Sequence, residues 1–175
     1  MHRFVRILLA TSCLGVMLGI PASAGASDPR TFIGGEGTQF LPGGTTPDSY
    51  CAFDVLISFT SNEYIIHQST APDGTVTVKF TGNATATATN LQTGKSITYK
   101  INGPGTEVFY PNGAVKSGNL EGPNLLWTTR GNSYSGVPYL SYTTGHVTFS
   151  VDASGVTTAY SLSGRQIDVC QALAG

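Results

Sequence analysis

The fold class is decided by the stretch Cys51-Ala52-Phe53-Asp54-Val55-Leu56-Ile57-Ser58-Phe59-Thr60. Its alternate positions from Cys51 to Phe59 are apolar, while polar residues such as Asp54 and Ser58 fall on the opposite face. Alternation with a period of two predicts a strand with one face in a core and the other in solvent. We expect this strand to open a closed or nearly closed β structure.

The rest of the chain repeats this pattern in short runs. Turn sequences rich in Gly, Pro and Asn recur about every eight to twelve residues, and they predict roughly eight to ten short strands. Three of them, Gly82-Asn83, Gly103-Pro104-Gly105 and Thr143-Thr144-Gly145, are expected to end strands. Only the tail, from Arg165 to Leu173, has the spacing of one helical turn. The chain therefore reads as an all-β protein.

The N-terminal residues have the three parts of a signal peptide. Arg3 and Arg6 give a positive start, Ile7 to Ile20 is apolar, and Ala22-Ser23-Ala24 is a small-residue cleavage signal. We expect residues 1–24 to be removed and the protein to be secreted to the extracellular space. No later apolar run has spanning length, so no stable membrane insertion is expected after cleavage.

The remaining chain divides into an arm and a domain. Residues 25–50 are rich in Gly, Pro and Thr and predict a flexible arm, whereas residues 51–175 are expected to form the β domain. Once Cys13 leaves with the leader, Cys51 and Cys170 remain, and in an oxidising compartment they are expected to form a disulfide. A bond between the first strand and the C-terminus brings the ends of the sheet together, which favours a single antiparallel β-barrel. A β-sandwich is the alternative.

Composition excludes some partners. Charged residues make up 11% of the chain and the net charge is -1. A surface of this kind has no basic footprint for nucleic acid or for an anionic membrane.

Several motifs give the chain a resemblance to a group of small exported actinobacterial β-barrel proteins of uncharacterised function. The motifs are Cys51-x-Phe53-x-Val55, Thr89-Asn90-x-x-Thr93-Gly94-Lys95, Asn102-Gly103-Pro104-Gly105, Thr144-Gly145-x-Val147 and Asp168-Val169-Cys170. The resemblance implies an exported barrel with no established activity. Allene oxide cyclase and the dirigent proteins are similar only in architecture, and no catalytic residue is carried over from them.

Catalytic and metal-binding patterns are absent from the sequence. There is no Gly-x-Ser-x-Gly motif, no His-x-x-x-His and no clustered acidic pattern, so no catalytic residue, metal site or cofactor is predicted. His67 and His146 fit strand or turn positions better than a catalytic role. The carboxylates that could act in acid–base chemistry are scattered along the chain: Asp54, Glu63, Glu107 and Glu121.

Aromatic residues offer the best candidate site. An apolar ligand cavity is expected to be lined by aromatic faces with a few hydroxyls, here those of Tyr99, Tyr110, Trp127, Tyr139 and Tyr160. The leading hypothesis is a non-enzymatic exported barrel that binds a small apolar ligand or a surface partner. The alternatives are a cyclase- or isomerase-like barrel acting on an apolar substrate, and a structural protein with a filled core. Small inward residues with a buried Glu or His would indicate a site, and uniformly large ones a filled core.

Overall fold

A computed structural model describes residues 30–175, so the predicted signal peptide lies outside the described residues. The described chain forms β1 (Thr31–Phe32), β2 (Gly35–Leu41), β3 (Val55–Thr70), β4 (Val76–Asn90), β5 (Ser96–Phe109), β6 (Val115–Glu121), β7 (Asn124–Trp127), β8 (Leu140–Val151), β9 (Thr157–Asp168) and α1 (Val169–Ala174). A short 3-10 helix, Arg130–Asn132, lies between β7 and β8. None of the helices in this part of the chain is long and apolar enough to cross a bilayer.

All nine described strands belong to one antiparallel sheet. β1 and β2 both pair with β3, and the order then continues through β4, β5 and β6 to β8. β8 pairs with β6 and β7 along one edge and with β9 along the other. The predicted all-β antiparallel class is confirmed, and a sandwich of two separate sheets is not what these strands form. Among the described residues, the pairing does not join β1 or β2 to β9, so hydrogen bonding leaves the sheet open there.

The predicted disulfide is confirmed. Cys51 and Cys170 are bonded across a separation of 119 residues, with their Cα atoms 5.3 Å apart. Cys170 lies in α1, whose first turn is capped by the Asp168 carboxylate accepting from the backbone N–H of Gln171. The disulfide therefore fixes α1, the last element, to the segment just before β3.

The first long strand begins later than the sequence predicts. Cys51 to Phe53 form bends, and the strand starts at Val55. The segment expected to be a flexible arm contributes β1 and β2, and β2 pairs with β3 from Leu41 opposite Val55 to Gly35 opposite Ser61. A strand at the edge of a sheet pairs through its backbone groups and needs few apolar side chains. The composition of residues 25–50 therefore does not indicate these two strands.

The glycines expected to end strands lie inside them. Gly82 on β4 is paired with Gly103 on β5, and Gly145 on β8 with Gly164 on β9. Gly145 has a φ of 107°, a backbone conformation that residues with a Cβ rarely adopt. A glycine of this kind bends a strand without ending it, so β4, β5 and β8 run through three predicted turns.

Two apolar clusters fill the fold. The helix-side cluster packs α1 against the first halves of β3 and β5, the second half of β4 and one face of β7 and β8; its core includes Val55, Ile57, Tyr99, Leu140 and Leu173. The cavity-side cluster packs the other halves of these strands and includes Ile65, Val78, Phe80, Leu120, Leu126, Val147 and Phe149. Neighbouring residues of β7 serve different clusters, since Leu125 and Trp127 belong to the first and Leu126 to the second. Both faces of β7 are therefore buried.

Candidate functional site

A half-open cavity lies between the cavity-side cluster and the segment that follows β7. Its volume is about 40 Å³, and it opens to solvent on one side. This is room for a small ligand or a few water molecules. Ten residues line it: Leu126, Trp127, Thr128, Tyr134, Val137, Pro138, Ser141, Phe149, Thr157 and Tyr160.

Three residues of this lining each carry a buried side-chain polar atom without a hydrogen-bond partner in the described chain. These atoms are the indole Nε1 of Trp127, the Oγ1 of Thr128 and the Oγ of Ser141. Trp127 is 2% exposed and Ser141 is 1% exposed. An indole N–H can only donate, while the two hydroxyls can donate or accept. Unpaired buried polar groups are unfavourable, so these three atoms are candidates for pairing with a bound molecule.

Strand pairing places these groups. Leu126 is opposite Ser141 and Trp127 is opposite Leu140, which sets the two strands of the cavity wall in register. The Thr128 N–H donates to the carbonyl of Tyr139 at 2.8 Å, so the pairing continues one step beyond β7.

The loop at the cavity mouth is anchored by Arg130. Its Nε donates to the carbonyl of Gly44 and to the Oγ of Ser49, both at 3.1 Å. Its guanidinium lies 4.6 Å from the ring centroid of Tyr139, within cation–π range. The mouth is therefore tied to the segment between β2 and β3.

The structure brings two of the five predicted aromatic residues to the cavity, Trp127 and Tyr160. The Tyr160 hydroxyl accepts a hydrogen bond from the Gln166 side chain at 3.0 Å, and burial raises the pKa of Tyr160. Two of the five predicted residues, on β7 and β9, therefore line the same cavity.

The other three aromatic residues lie elsewhere. Tyr99 is buried in the helix-side cluster, where its ring centroid is 4.6 Å from that of Tyr142. The Tyr110 hydroxyl donates to the Val151 carbonyl at 2.9 Å. Tyr139 contacts Arg130, as described above. These three residues serve packing and anchoring, and none of them lines the cavity.

Most of the cavity wall lies outside the five residues predicted to line a site. Ser141 and Phe149 share the strand parity of Val147 and Val151, so alternation along β8 carried a signal for both. Tyr134 lies in a sequence rich in Gly, Ser and Asn, and its approach to the cavity depends on a chain path that periodicity does not encode.

A second group of buried polar side chains lies on the inner face of the sheet. Glu63 on β3 is 4% exposed and Glu107 on β5 is 3% exposed, and each has a carboxyl oxygen without a hydrogen-bond partner in the described chain. Burial raises the pKa of Glu63 to about 7. Burial, and then the charge of Glu63, raise the pKa of Glu107 to about 8. Two carboxylates that were scattered in the sequence are thus electrostatic neighbours in the fold.

Other candidate chemistry is sparse. No group of three or more His, Cys, Asp or Glu side chains among residues 30–175 is arranged to hold a metal ion. His67 is exposed, and the exposed His146 ring shares a 2.8 Å hydrogen bond with the Asn119 side chain. Comparison of the chain with protein-family models, with curated proteins and with solved structures finds no match.

Proposed function

We propose that this protein binds a small, mainly apolar molecule carrying a hydrogen-bond acceptor, in the cavity between β7, β8 and β9. The carrying observation is a half-open, largely apolar cavity bordered by Trp127, whose buried indole N–H has no hydrogen-bond partner in the described chain. Ligand sites commonly combine apolar surface with a few convergent polar groups, and this wall has that composition. The acceptor would pair with Trp127, and the apolar body would lie against Phe149 and Tyr160.

Binding fits the site better than catalysis. Neither Glu63 nor Glu107 lines the cavity, so the groups best suited to acid–base chemistry lie apart from the place where a ligand fits. The half-open cavity itself argues against a uniformly filled core. We therefore place the cyclase- or isomerase-like reading and the structural reading behind binding.

Export is part of the proposal. The disulfide supports a life in an oxidising compartment, since cytosolic thiols are kept reduced. Together with the leader pattern of residues 1–24, it supports a secreted carrier or sensor of small molecules.

The test compares two ligands of similar shape, acetophenone and ethylbenzene, by isothermal titration calorimetry. Only acetophenone carries an acceptor. A hydrogen bond to Trp127 contributes about 0.5–1.5 kcal/mol, so acetophenone should bind about three to ten times more tightly. Trp127 is the single tryptophan, and its fluorescence should change when either ligand enters.

Trp127→Phe should remove the difference between the two ligands while leaving an apolar wall. Tyr99→Phe is the matched control, because it alters a predicted aromatic site residue that lies outside the cavity. It should leave both affinities unchanged. If neither ligand binds, or if acetophenone keeps its advantage in Trp127→Phe, the proposed site is wrong.

A further inference from the structure

One row of paired residues crosses the sheet from the buried carboxyl of Glu107 to the cavity. Glu107 on β5 is opposite Gly118 on β6, Gly118 is opposite Phe149 on β8, and Phe149 is opposite Tyr160 on β9. A Cβ at Gly118 would lie 2.1 Å from the Cζ of Phe149, so the Phe149 ring covers the glycine. Phe149 and Tyr160 both line the cavity. Along this row, Gly118 and Phe149 therefore lie between Glu107 and the cavity.

Glu63 approaches the same interior from the other side of β4. It is opposite Gly82, and a Cβ at that position would lie 3.0 Å from the Cγ of Glu63. Such a Cβ would meet the Asn62 carbonyl oxygen and the Glu63 Cα even more closely, so the missing side chain at Gly82 lets this part of β3 approach. The Phe80 ring lies nearby over Gly105 in the same way, 2.0 Å from a Cβ placed there. Glu63 and Glu107 thus lie among the rings and glycines of the cavity-side cluster.

These surroundings favour the neutral form of both carboxyls. A buried carboxylate is strongly unfavourable without a cation or a set of hydrogen-bond donors, and each glutamate has an unpaired oxygen. Apart from each other, the titratable groups on the inner side of the packed strands are Tyr160 and Tyr99, and Tyr99 lies in the helix-side cluster. The remaining charged or titratable side chains of these strands are exposed or half-exposed: Tyr64, His67, Lys79, Lys100, Tyr110, Lys116, Glu121, Tyr142, His146, Arg165 and Asp168.

We propose that Glu63 and Glu107 form a proton-dependent switch: the cavity-side cluster packs while both carboxyls are neutral and loosens around Phe149 when they ionise. Resting on the function proposed above, the switch would also make the cavity hold its ligand at acid to neutral pH and release it as the pH rises.

The direction follows from proton linkage. Burial raises the pKa values to about 7 for Glu63 and about 8 for Glu107, above the ordinary value of 4.5. The folded state therefore binds more protons than the unfolded state between pH 4.5 and about 8, and stability must fall as pH rises through that window. In the folded state, the two glutamates ionise near the upper end of this pH window.

The first experiment uses the whole protein labelled with ¹³C at the glutamate side-chain carboxyl. The chain has four glutamates, so the NMR spectrum should show four carboxyl resonances. Two of them should move between about pH 6 and about pH 9, as buried acids with raised pKa values do. If no carboxyl resonance moves in this range, the switch is overturned without any substitution.

The second experiment measures urea unfolding across the same pH range. The wild type should lose stability with rising pH, and Glu107→Gln should be flatter because the amide cannot ionise. Glu121→Gln, an exposed control, should keep the wild-type slope. A wild-type midpoint that does not fall with pH, or an equal slope in Glu107→Gln, would count against the proposal.

The third experiment measures acetophenone binding by calorimetry at several pH values. The Kd should rise by about tenfold between about pH 7 and about pH 9 in the wild type and stay nearly constant in Glu107→Gln. If acetophenone does not bind at any pH, the ligand proposal fails while the two preceding experiments still decide the switch. If it binds with a pH-independent Kd, coupling to the cavity is wrong although the ligand site stands.

Discussion

At the scale of single residues, three phenylalanine rings lie over glycines on the neighbouring strand. Phe59 covers Gly37, Phe80 covers Gly105, and Phe149 covers Gly118; in each case the two residues are paired across strands. Each ring fills the space left by a missing side chain, a device that fixes strand register and curvature. The last of these, Phe149 over Gly118, also shapes the cavity wall.

Gly118→Ala should destabilise the protein by about 1–3 kcal/mol, because the new methyl group overlaps the Phe149 ring and the buried ring must move. Urea unfolding followed by circular dichroism measures the change. Phe149→Leu should lower the free energy of unfolding by less in the Gly118→Ala variant than in the wild type. The control is Gly35→Ala, where a Cβ would have no neighbour within 4 Å and the change should stay within about 0.5 kcal/mol. Equal losses in both alanine variants would contradict the account of the covered glycine.

The position of Glu63 could be predicted from the sequence, although its partner could not. Glu63 continues the alternation of Val55, Ile57 and Phe59, so parity along β3 points its side chain into the core. That inference requires the strand to run past Thr60, where the apolar pattern weakens. The proximity of Glu107 depends on how β3, β4 and β5 coil together, and no local pattern in one sequence encodes that distance.

At the scale of elements, Asn90 joins the β4–β5 hairpin to α1. Its side chain is 1% exposed; its Nδ2 donates to the Leu173 carbonyl at 3.2 Å, and its Oδ1 accepts from the Gln92 N–H at 2.9 Å. One amide therefore serves the turn and the end of the helix together. The six residues of α1 are too few to be stable alone, so this contact and the disulfide hold the helix in place.

Asn90→Ala should destabilise the fold by about 2–3 kcal/mol, since it leaves a buried carbonyl and a turn N–H without partners. Asn83→Ala, on an exposed position of the same strand, should change stability by less than about 0.5 kcal/mol. Thermal and urea unfolding of the two variants measure these changes in stability. A neutral Asn90→Ala would mean that the helix docks through the disulfide and apolar contacts alone.

Strand existence was more predictable than strand length. Alternation identified most of the strand sequences in β3, β4, β5 and β8, because half-buried strands impose a period of two. The glycines at 82, 103 and 145 were read as turns because glycine marks turns as well as bends, and only the pairing partner distinguishes the two. Where two glycines are paired across strands, as Gly82 and Gly103 are, they mark a bend within the strands.

At the scale of the whole molecule, the Cys51–Cys170 bond spans nearly the whole described chain. It ties the segment before β3 to α1, whereas the sheet itself is not closed by hydrogen bonds between β1 or β2 and β9. The sequence predicted this bond because only two cysteines follow the leader. How far the sheet curls, by contrast, depends on twist and packing that cysteine positions do not determine.

The double variant Cys51→Ala/Cys170→Ala should lose about 4–5 kcal/mol of stability, the chain-entropy value for a loop of this size. Urea midpoints of the wild type and the variant, each with and without reductant, measure the loss. Reductant should lower the wild-type midpoint and leave that of the variant unchanged. Labelling of either cysteine by an alkylating agent in the denatured, unreduced wild type would contradict the bond itself.

The disulfide also marks a moment in folding. In the folded chain, α1 docks against β4 and β8 and so brings Cys170 to Cys51 across 119 residues of sequence. Closing so long a loop is entropically unfavourable in an unfolded chain, so we expect the sheet to bring the thiols together before they are oxidised. Oxidation is then expected to be a late event that preserves the completed fold.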